Sequence, residues 1–171
     1  MKTPVVWSWC LTLGLVVLFV IAGDPSLPDR LATHFDLAGN PNGWMTKSAF
    51  YAAIIGITIL LNIWPLVIPA FVAKMPAFLN IPNKTYWLET PARRAQVVHK
   101  LQTILLGTTS FSNCAVLMGY LVVWRYHLEG PQPFPWATFG VIVAGVLGVG
   151  LGCTWHDFRI PQASAGASAK R

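Results

Sequence analysis

Residues 101–124 read LQTILLGTTSFSNCAVLMGYLVVW and contain no Asp, Glu, Lys, Arg or His. A helix rises about 1.5 Å per residue and the hydrocarbon core of a bilayer is about 30 Å thick, so roughly 20 such residues cross it. Further uncharged stretches of similar length lie at residues 5–22, 50–73 and 136–155. The sequence therefore predicts an all-α membrane protein whose four transmembrane helices form an antiparallel bundle.

Composition supports a membrane protein rather than a globular one. The chain of 171 residues is 54% hydrophobic and 11% charged, which leaves too few polar groups to solvate a globular surface. We predict one membrane domain over residues 1–160 and a disordered cytoplasmic tail over residues 161–171, which are rich in small residues. The net charge of +6 is spread over particular loops, which favours lipid over nucleic acid as the acidic partner. We expect no cofactor.

The distribution of basic residues predicts the orientation. Nine Lys and Arg residues lie before the first span, in loop 74–100 or after the last span, against three in loops 23–49 and 125–135. The positive-inside rule then places both termini and loop 74–100 in the cytoplasm. Loop 74–100 also offers a basic surface for anionic headgroups, with docking of a soluble protein as the alternative. Its residues are Lys84, Arg93, Arg94 and Lys100.

The end of this inner loop contains a helix start signal. Thr90 is a favourable N-cap residue, and Pro91 suits the first position of a helix. We predict that a helix begins there and continues without interruption into the third span, as far as residue 124.

Polar and small residues inside the spans predict helix contacts. Asn62 and Asn113 lie near the middle of the second and third spans, where an interhelical hydrogen bond is worth about 0.6 kcal/mol on average. A small polar cavity is the alternative. In the fourth span, small residues recur at every fourth position, which favours close packing within the bundle, with a homodimer interface as the alternative. They are Gly140, Ala144, Gly148 and Gly152.

The loop between the first two spans, residues 23–49, is dense in polar and turn-forming residues. Leu31, Thr33, Phe35 and Leu37 fall on one side of an extended chain and His34 and Asp36 on the other, which predicts a short extended segment. GNPNG at 39–43 predicts a turn. We expect an ordered outer loop that presents polar and aromatic side chains for recognition. They are His34, Asp36, Asn40, Asn42, Trp44 and Lys47.

Catalysis or metal binding would need its residues in this loop, because the spans contain no ionisable Asp, Glu, Lys, Arg or His. Asp29, His34 and Asp36 are residue types that bind metals, but their spacing is not distinctive. The favoured interpretation is a polar turn held by hydrogen bonds from side chain to backbone. A hydrolase with His34 as general base has no paired nucleophile by motif. We therefore predict no catalytic residue and no metal site.

Several blocks of the chain resemble a known family. LPD at 27–29, HFD at 34–36 and GNPNGW at 39–44 resemble the bacterial SdpI-like membrane protein family, in which a domain of unknown function has a similar loop between its first two spans. NIPNKTYWL at 80–88 is similar to a second block of that family. The resemblance implies a non-enzymatic protein of a bacterial inner (plasma) membrane. It further implies a role in immunity, sensing or signal transduction, with a secreted peptide or protein as the ligand of the outer loop. The alternative is a membrane enzyme or small-solute carrier that uses loop residues around His34 and Asp36.

Overall fold

The computed structural model describes residues 3–36 and 38–160, and the chain is mostly helical. The helices are α1 (Thr3–Ala22), α2 (Lys47–Lys74), the short α3 (Lys84–Leu88), α4 (Pro91–Glu129), α5 (Trp136–Leu147) and α6 (Thr154–Asp157). A π-helical segment, Gly148–Cys153, joins α5 and α6 into one continuous helix over Trp136–Asp157. A single 3-10 turn, Pro76–Phe78, follows α2.

Four helices are long and apolar enough to cross a membrane: α1, α2, α4 and the continuous helix Trp136–Asp157. Each of the four predicted spans falls inside one of them, so this part of the prediction is confirmed. The tail predicted at 161–171 lies outside the described residues, and the domain boundary at residue 160 remains a prediction.

The longest helix, α4, organises the others. Thr90 Oγ1 accepts a hydrogen bond from the Arg93 N–H at 3.3 Å, and Pro91 is the first helical residue. The predicted helix start is therefore confirmed, and the 39 residues of α4 span about 58 Å. α1, α2 and α5 all pack against α4.

The loop between α1 and α2 contains an antiparallel β-hairpin, β1 (Arg30–Phe35) and β2 (Pro41–Thr46). The register pairs Leu31 with Met45 and Ala32 with Trp44, and it is irregular on both sides of His34. β1 corresponds to the predicted extended segment. The turn is shorter than predicted, because β2 already begins at Pro41.

Two clusters of buried apolar side chains lie towards opposite ends of α4. One lies under the hairpin and includes Leu31 and Phe50 together with Tyr120 of α4. The other surrounds Trp87 and Phe158 near the start of α4. We call these two regions the hairpin end and the Trp87 end.

Candidate recognition site at the β-hairpin

The hairpin contacts the helix ends through the first half of β1. Leu31 and Ala32 are completely buried, and Leu31 packs in the cluster that contains Val16 of α1, Phe50 of α2 and Val123 of α4. Burying a leucine side chain contributes about 1.5–3 kcal/mol. The hairpin is therefore held against three helices by apolar burial.

Lys47, at the start of α2, ties down the segment that leads into the hairpin. Its Nζ donates to the backbone oxygens of Asp24 at 2.8 Å and of Leu27 at 2.9 Å. The Lys47 N–H donates to the backbone oxygen of Asp29 at 2.8 Å. The sequence predicts Lys47 as a recognition residue, but the structure places its ammonium group in contacts that hold the loop.

Asp24 connects the same segment to α4. One carboxylate oxygen accepts the Ser26 hydroxyl at 2.5 Å and the Ser26 N–H at 2.8 Å, and the other accepts Nε1 of Trp124 at 2.8 Å. The Ser26 hydroxyl, the Ser26 N–H and Trp124 lower the pKa of Asp24 below 3.8, and the charge of Lys47 adds to this. We did not predict this contact from sequence, although Asp-Pro-Ser is a turn signal.

The hairpin tip is a polar turn centred on Asp36. Its carboxylate accepts the N–H groups of Ala38 at 2.9 Å and Asn40 at 2.8 Å, and the Asn40 Nδ2 at 3.2 Å. Hydrogen bonds from the Asn40 backbone and side chain are the main reason why the pKa of Asp36 lies below 3.8. Gly39 supplies the positive φ of 85° that the turn requires. Asp36 and Asn40 therefore shape the tip.

The tip does not assemble a recognisable metal site. Within residues 3–36 and 38–160, no three His, Cys, Asp or Glu side chains lie together in a way that could hold a metal ion. The Asp36 oxygens are directed at N–H donors of the tip, as in a turn held by side chain to backbone hydrogen bonds.

His127 of α4 holds the middle of β1, a contact that sequence reasoning missed. Its Nε2 accepts the Ala32 N–H at 2.9 Å, so in this arrangement the imidazole is neutral and carries its proton on Nδ1. The ring also meets Trp44 edge to face, with 6.1 Å between centroids. His127 is half-buried under the hairpin. The two partners are 95 residues apart, and no local pattern links them.

Five of the six predicted recognition residues are exposed, and three of them lie on the strands of the hairpin, outside the Asp36 turn. His34, Asn42 and Trp44 are exposed, and we call them the hairpin face. The His34 ring lies over Gly43, where an added Cβ would come within 2.9 Å of the His34 Nδ1. Trp44 keeps 47% of its surface exposed. Of the other predicted recognition residues, Asp36 and Asn40 are exposed but bond to each other at the tip, and Lys47 bonds to the loop backbone.

Two adjoining cavities lie between the hairpin, α4 and the segment 130–135. The first, which we call the hairpin groove, has a volume of about 230 Å³ and is bordered by Phe35, Arg125 and Gln132. The second, of about 420 Å³, is bordered by His34 and Asn42 of the hairpin face. Phe35, Val122 and Phe134 line both cavities.

A second group of predicted residues meets in the middle of the helices. Asn62 Nδ2 donates to Asn113 Oδ1 at 2.9 Å, and Asn113 Nδ2 donates to Asn62 Oδ1 at 3.1 Å. Trp9 of α1 donates through Nε1 to Asn62 Oδ1 at 2.7 Å, and Asn113 Nδ2 lies 3.4 Å from Thr12 Oγ1. The structure thus brings the two predicted amides together and adds α1, which the sequence did not indicate.

The basic residues of the predicted inner surface all donate to backbone oxygens. Arg94 Nε donates to Leu88 at 2.7 Å, and Lys84 Nζ donates to Ala77 at 2.5 Å. Arg93 donates to Tyr86, whose ring its guanidinium overlies at 3.9 Å, and it pairs with Glu89. Lys100 donates to the backbone oxygen of Asp157 and lies 4.4 Å over the Trp87 ring. These cations therefore also hold the Trp87 end together.

The small-residue stripe of the fourth span does not pack within the chain. Among the described residues, an added Cβ on Gly140, Gly148 or Gly152 would meet nothing within 4 Å, and Ala144 is exposed. The within-chain packing predicted for this stripe is therefore wrong. The contact with α4 is made at Gly145, where an added Cβ would lie 2.4 Å from the Phe111 ring. The homodimer alternative is not tested by a single chain.

Comparison with known proteins gives one match. The family model described as a domain of unknown function, DUF1648, matches residues 11–60. The matched segment contains most of α1, the whole hairpin and the first half of α2, and therefore the hairpin face, Asp24 and Lys47. No curated protein and no solved structure matches the chain.

Proposed function

We propose that this chain is a non-enzymatic, SdpI-like integral membrane protein that binds a secreted peptide or protein through its hairpin face. The observation that carries the proposal is the construction of the loop, in which apolar burial and hydrogen bonds fix the backbone while His34, Asn42 and Trp44 remain exposed. A loop whose backbone is already fixed loses little conformational entropy when it binds a partner, and an exposed tryptophan offers a large contact area.

A sensing, immunity or signalling role is consistent with the way the hairpin is attached. Lys47 of α2 contacts the segment that leads into the hairpin, and His127 of α4 contacts β1 directly. A partner that displaces the hairpin would therefore alter contacts on two membrane-spanning helices. We propose no catalytic role, because the Asp36 carboxylate, the strongest candidate to assist His34, is already bonded to the turn.

We propose an orientation in which the hairpin is outside and the termini and the Trp87 end are in the cytoplasm of a bacterium, with successive helices antiparallel. The support is the distribution of Lys and Arg along the sequence. Two exposed glutamines provide a matched test in a cysteine-free background: Gln132→Cys in segment 130–135 and Gln96→Cys near the start of α4. A membrane-impermeant maleimide should label Gln132→Cys in intact cells. The reverse labelling pattern would contradict the orientation.

The function is tested with substitutions that keep the buried Leu31 and the hydrogen bonds of Lys47 to the loop. The triple variant His34→Ala, Asn42→Ala, Trp44→Ala should insert normally but fail to complement the phenotype of a deletion strain. A matched control removes a histidine, an amide and a tryptophan at the Trp87 end, all of them exposed. The control residues are His99, Gln96 and Trp155.

The two triple variants separate the alternatives. Full complementation by the face variant would refute recognition through the hairpin face. If only the control triple fails while both proteins accumulate to normal levels, the functional surface lies at the Trp87 end instead. An enzyme would show loss of turnover on alanine substitution of His34 alone, in a protein that stays folded.

Two partner predictions remain proposals. We propose that anionic headgroups contact the Trp87 end, supported by the position of Arg94 at the start of α4 with its side chain exposed. We also propose that the exposed stripe through Gly148 contacts a second copy of the chain. Gly148→Leu should then shift the protein from dimer to monomer in detergent, and an unchanged oligomeric state would refute this contact.

A further inference from the structure

We propose that the hairpin groove holds one acyl chain of a zwitterionic phospholipid whose headgroup carries a primary ammonium, with the phosphate at Arg125 and the ammonium at Glu129. This site is separate from the hairpin face and does not depend on the function proposed above. It would make a particular lipid part of the folded hairpin end.

The floor of the groove runs from hydrocarbon towards the membrane surface. Met118, Leu121, Val122 and Arg125 line it, and their spacing places them on one face of α4 over about 10 Å. The first three belong to the uncharged stretch 101–124, whereas Arg125 is the first charged residue after that stretch. The groove therefore passes from an environment that suits an acyl chain to one that suits a headgroup.

The walls are also apolar. Phe35 of β1 lies on one side, and Phe134 and Pro135 lie on the other. The hairpin tip meets the segment 130–135 where Gly39 packs against the Gln132 carbonyl, since an added Cβ on Gly39 would be 3.0 Å from that oxygen. The groove is thus bounded by elements from both sides of α4 and has a lining of the kind that hydrocarbon fills.

The charges at the polar end determine the headgroup. Arg125 and Glu129 form an ion pair at 3.0 Å with 56% and 43% of their side chains exposed. Exposed pairs of this kind contribute at most about 1 kcal/mol, so both groups remain open to a second partner. A guanidinium matches a phosphate, and a carboxylate matches an ammonium group that donates hydrogen bonds. An anionic headgroup would satisfy Arg125 but would repel Glu129.

The test measures lipid retained by the full chain. The protein is reconstituted into bilayers with equal amounts of phosphatidylethanolamine, phosphatidylcholine and phosphatidylglycerol, then transferred to detergent and analysed by native mass spectrometry. We expect one retained phosphatidylethanolamine per chain, enriched about fivefold over the other two lipids, as an exposed ion pair of that strength allows. Phosphatidylcholine lacks the N–H donors, and phosphatidylglycerol lacks the positive charge.

Two variants with matched controls locate the site. Val122→Trp fills the groove and should abolish retention, whereas Val141→Trp, on a face of α5 where the side chain is 68% exposed, should not. Arg125→Gln should remove the preference among headgroups, whereas Arg159→Gln at the Trp87 end should leave it unchanged. Arg125 is exposed, so this variant keeps the test decisive if Val122→Trp does not fold.

The opposite outcomes overturn the proposal. Equal retention of phosphatidylglycerol, an unchanged preference in Arg125→Gln, equal retention in Val122→Trp and Val141→Trp, or no retained lipid at all would each do so. None of these results bears on the hairpin-face variants, so the two proposals fail independently.

Discussion

Gly145 of α5 is where a single methyl group should be felt most strongly. A Cβ added there would lie 2.4 Å from both Cδ1 and Cε1 of Phe111. Carbon atoms in contact prefer a separation of about 3.5–4.0 Å, so the ring or the helix must move by roughly 1 Å. We therefore expect Gly145→Ala to push α5 away from α4.

The expected magnitude is the difference between two opposing effects. Overpacking a close contact costs about 1–3 kcal/mol, whereas replacing glycine by alanine inside a helix gains about 1 kcal/mol. Gly145→Ala should therefore be destabilising by up to about 2 kcal/mol. At Gly14 of α1 an added Cβ meets nothing within 4 Å, so Gly14→Ala keeps only the favourable effect and should be neutral or stabilising.

The assay is equilibrium or thermal unfolding of the two variants in the same mild detergent. Adding Phe111→Leu should remove most of the Gly145→Ala penalty, since residues in contact are not additive. If Gly145→Ala and Gly14→Ala change stability in the same direction and by the same amount, the assignment of Gly145 as the close contact is wrong. Equal penalties with and without Phe111→Leu would refute the part assigned to the ring.

Three further predictions address the polar contacts. Asn62→Leu removes two hydrogen bonds to Asn113 and one to Trp9, and should destabilise the folded protein by about 2 kcal/mol in total. A double-mutant cycle with Asn113→Leu should show that the two substitutions are coupled. Strictly additive effects would contradict the reciprocal hydrogen bonds between the two amides. The pKa of Asp24 is lowered in the folded state, so the stability that its carboxylate contributes is fully present above pH 3.8 and is lost as the pH falls through the lower pKa of the folded protein. Asp24→Asn should therefore flatten the acidic part of a curve of stability against pH. An unchanged acidic part would refute this. Lys47→Met removes both Nζ hydrogen bonds to the loop and should speed proteolysis within the hairpin while leaving α4 protected. An unchanged rate of cleavage would show that these hydrogen bonds do not hold the loop.

Local features of the sequence were sufficient to predict the four long helices. Hydropathy over about 20 residues and the Thr90-Pro91 start signal act within a few turns of chain, so they predicted the four long helices and the beginning of α4. The depth of Asn62 and Asn113 could also be read by counting along their spans, and the two amides meet. The extended segment that became β1 followed from its alternation.

The roles of the predicted loop residues were only partly predictable from sequence. Composition and turn signals predicted an ordered loop between α1 and α2, but they gave no means to identify the side chains that bond to the loop's own backbone. Asp36 and Lys47 resemble recognition residues in sequence, yet their hydrogen bonds are internal. That distinction depends on where backbone oxygens and N–H groups lie in space, which the loop's own sequence does not specify.

By itself, the sequence determined which segments are long and apolar enough to cross a membrane, because partitioning depends on the summed hydropathy of a contiguous stretch. Only the tertiary structure decided which helix faces meet. The small-residue stripe of the fourth span was predicted to be a packing face, but α5 turns Gly145 towards Phe111 instead. The π-helical segment Gly148–Cys153 has hydrogen bonds five residues apart, which alters the angular spacing on which such a stripe depends. Likewise, His127 meets Ala32 across 95 residues because α4 and the hairpin are packed together by buried side chains, a contact that arises only once the helices have assembled.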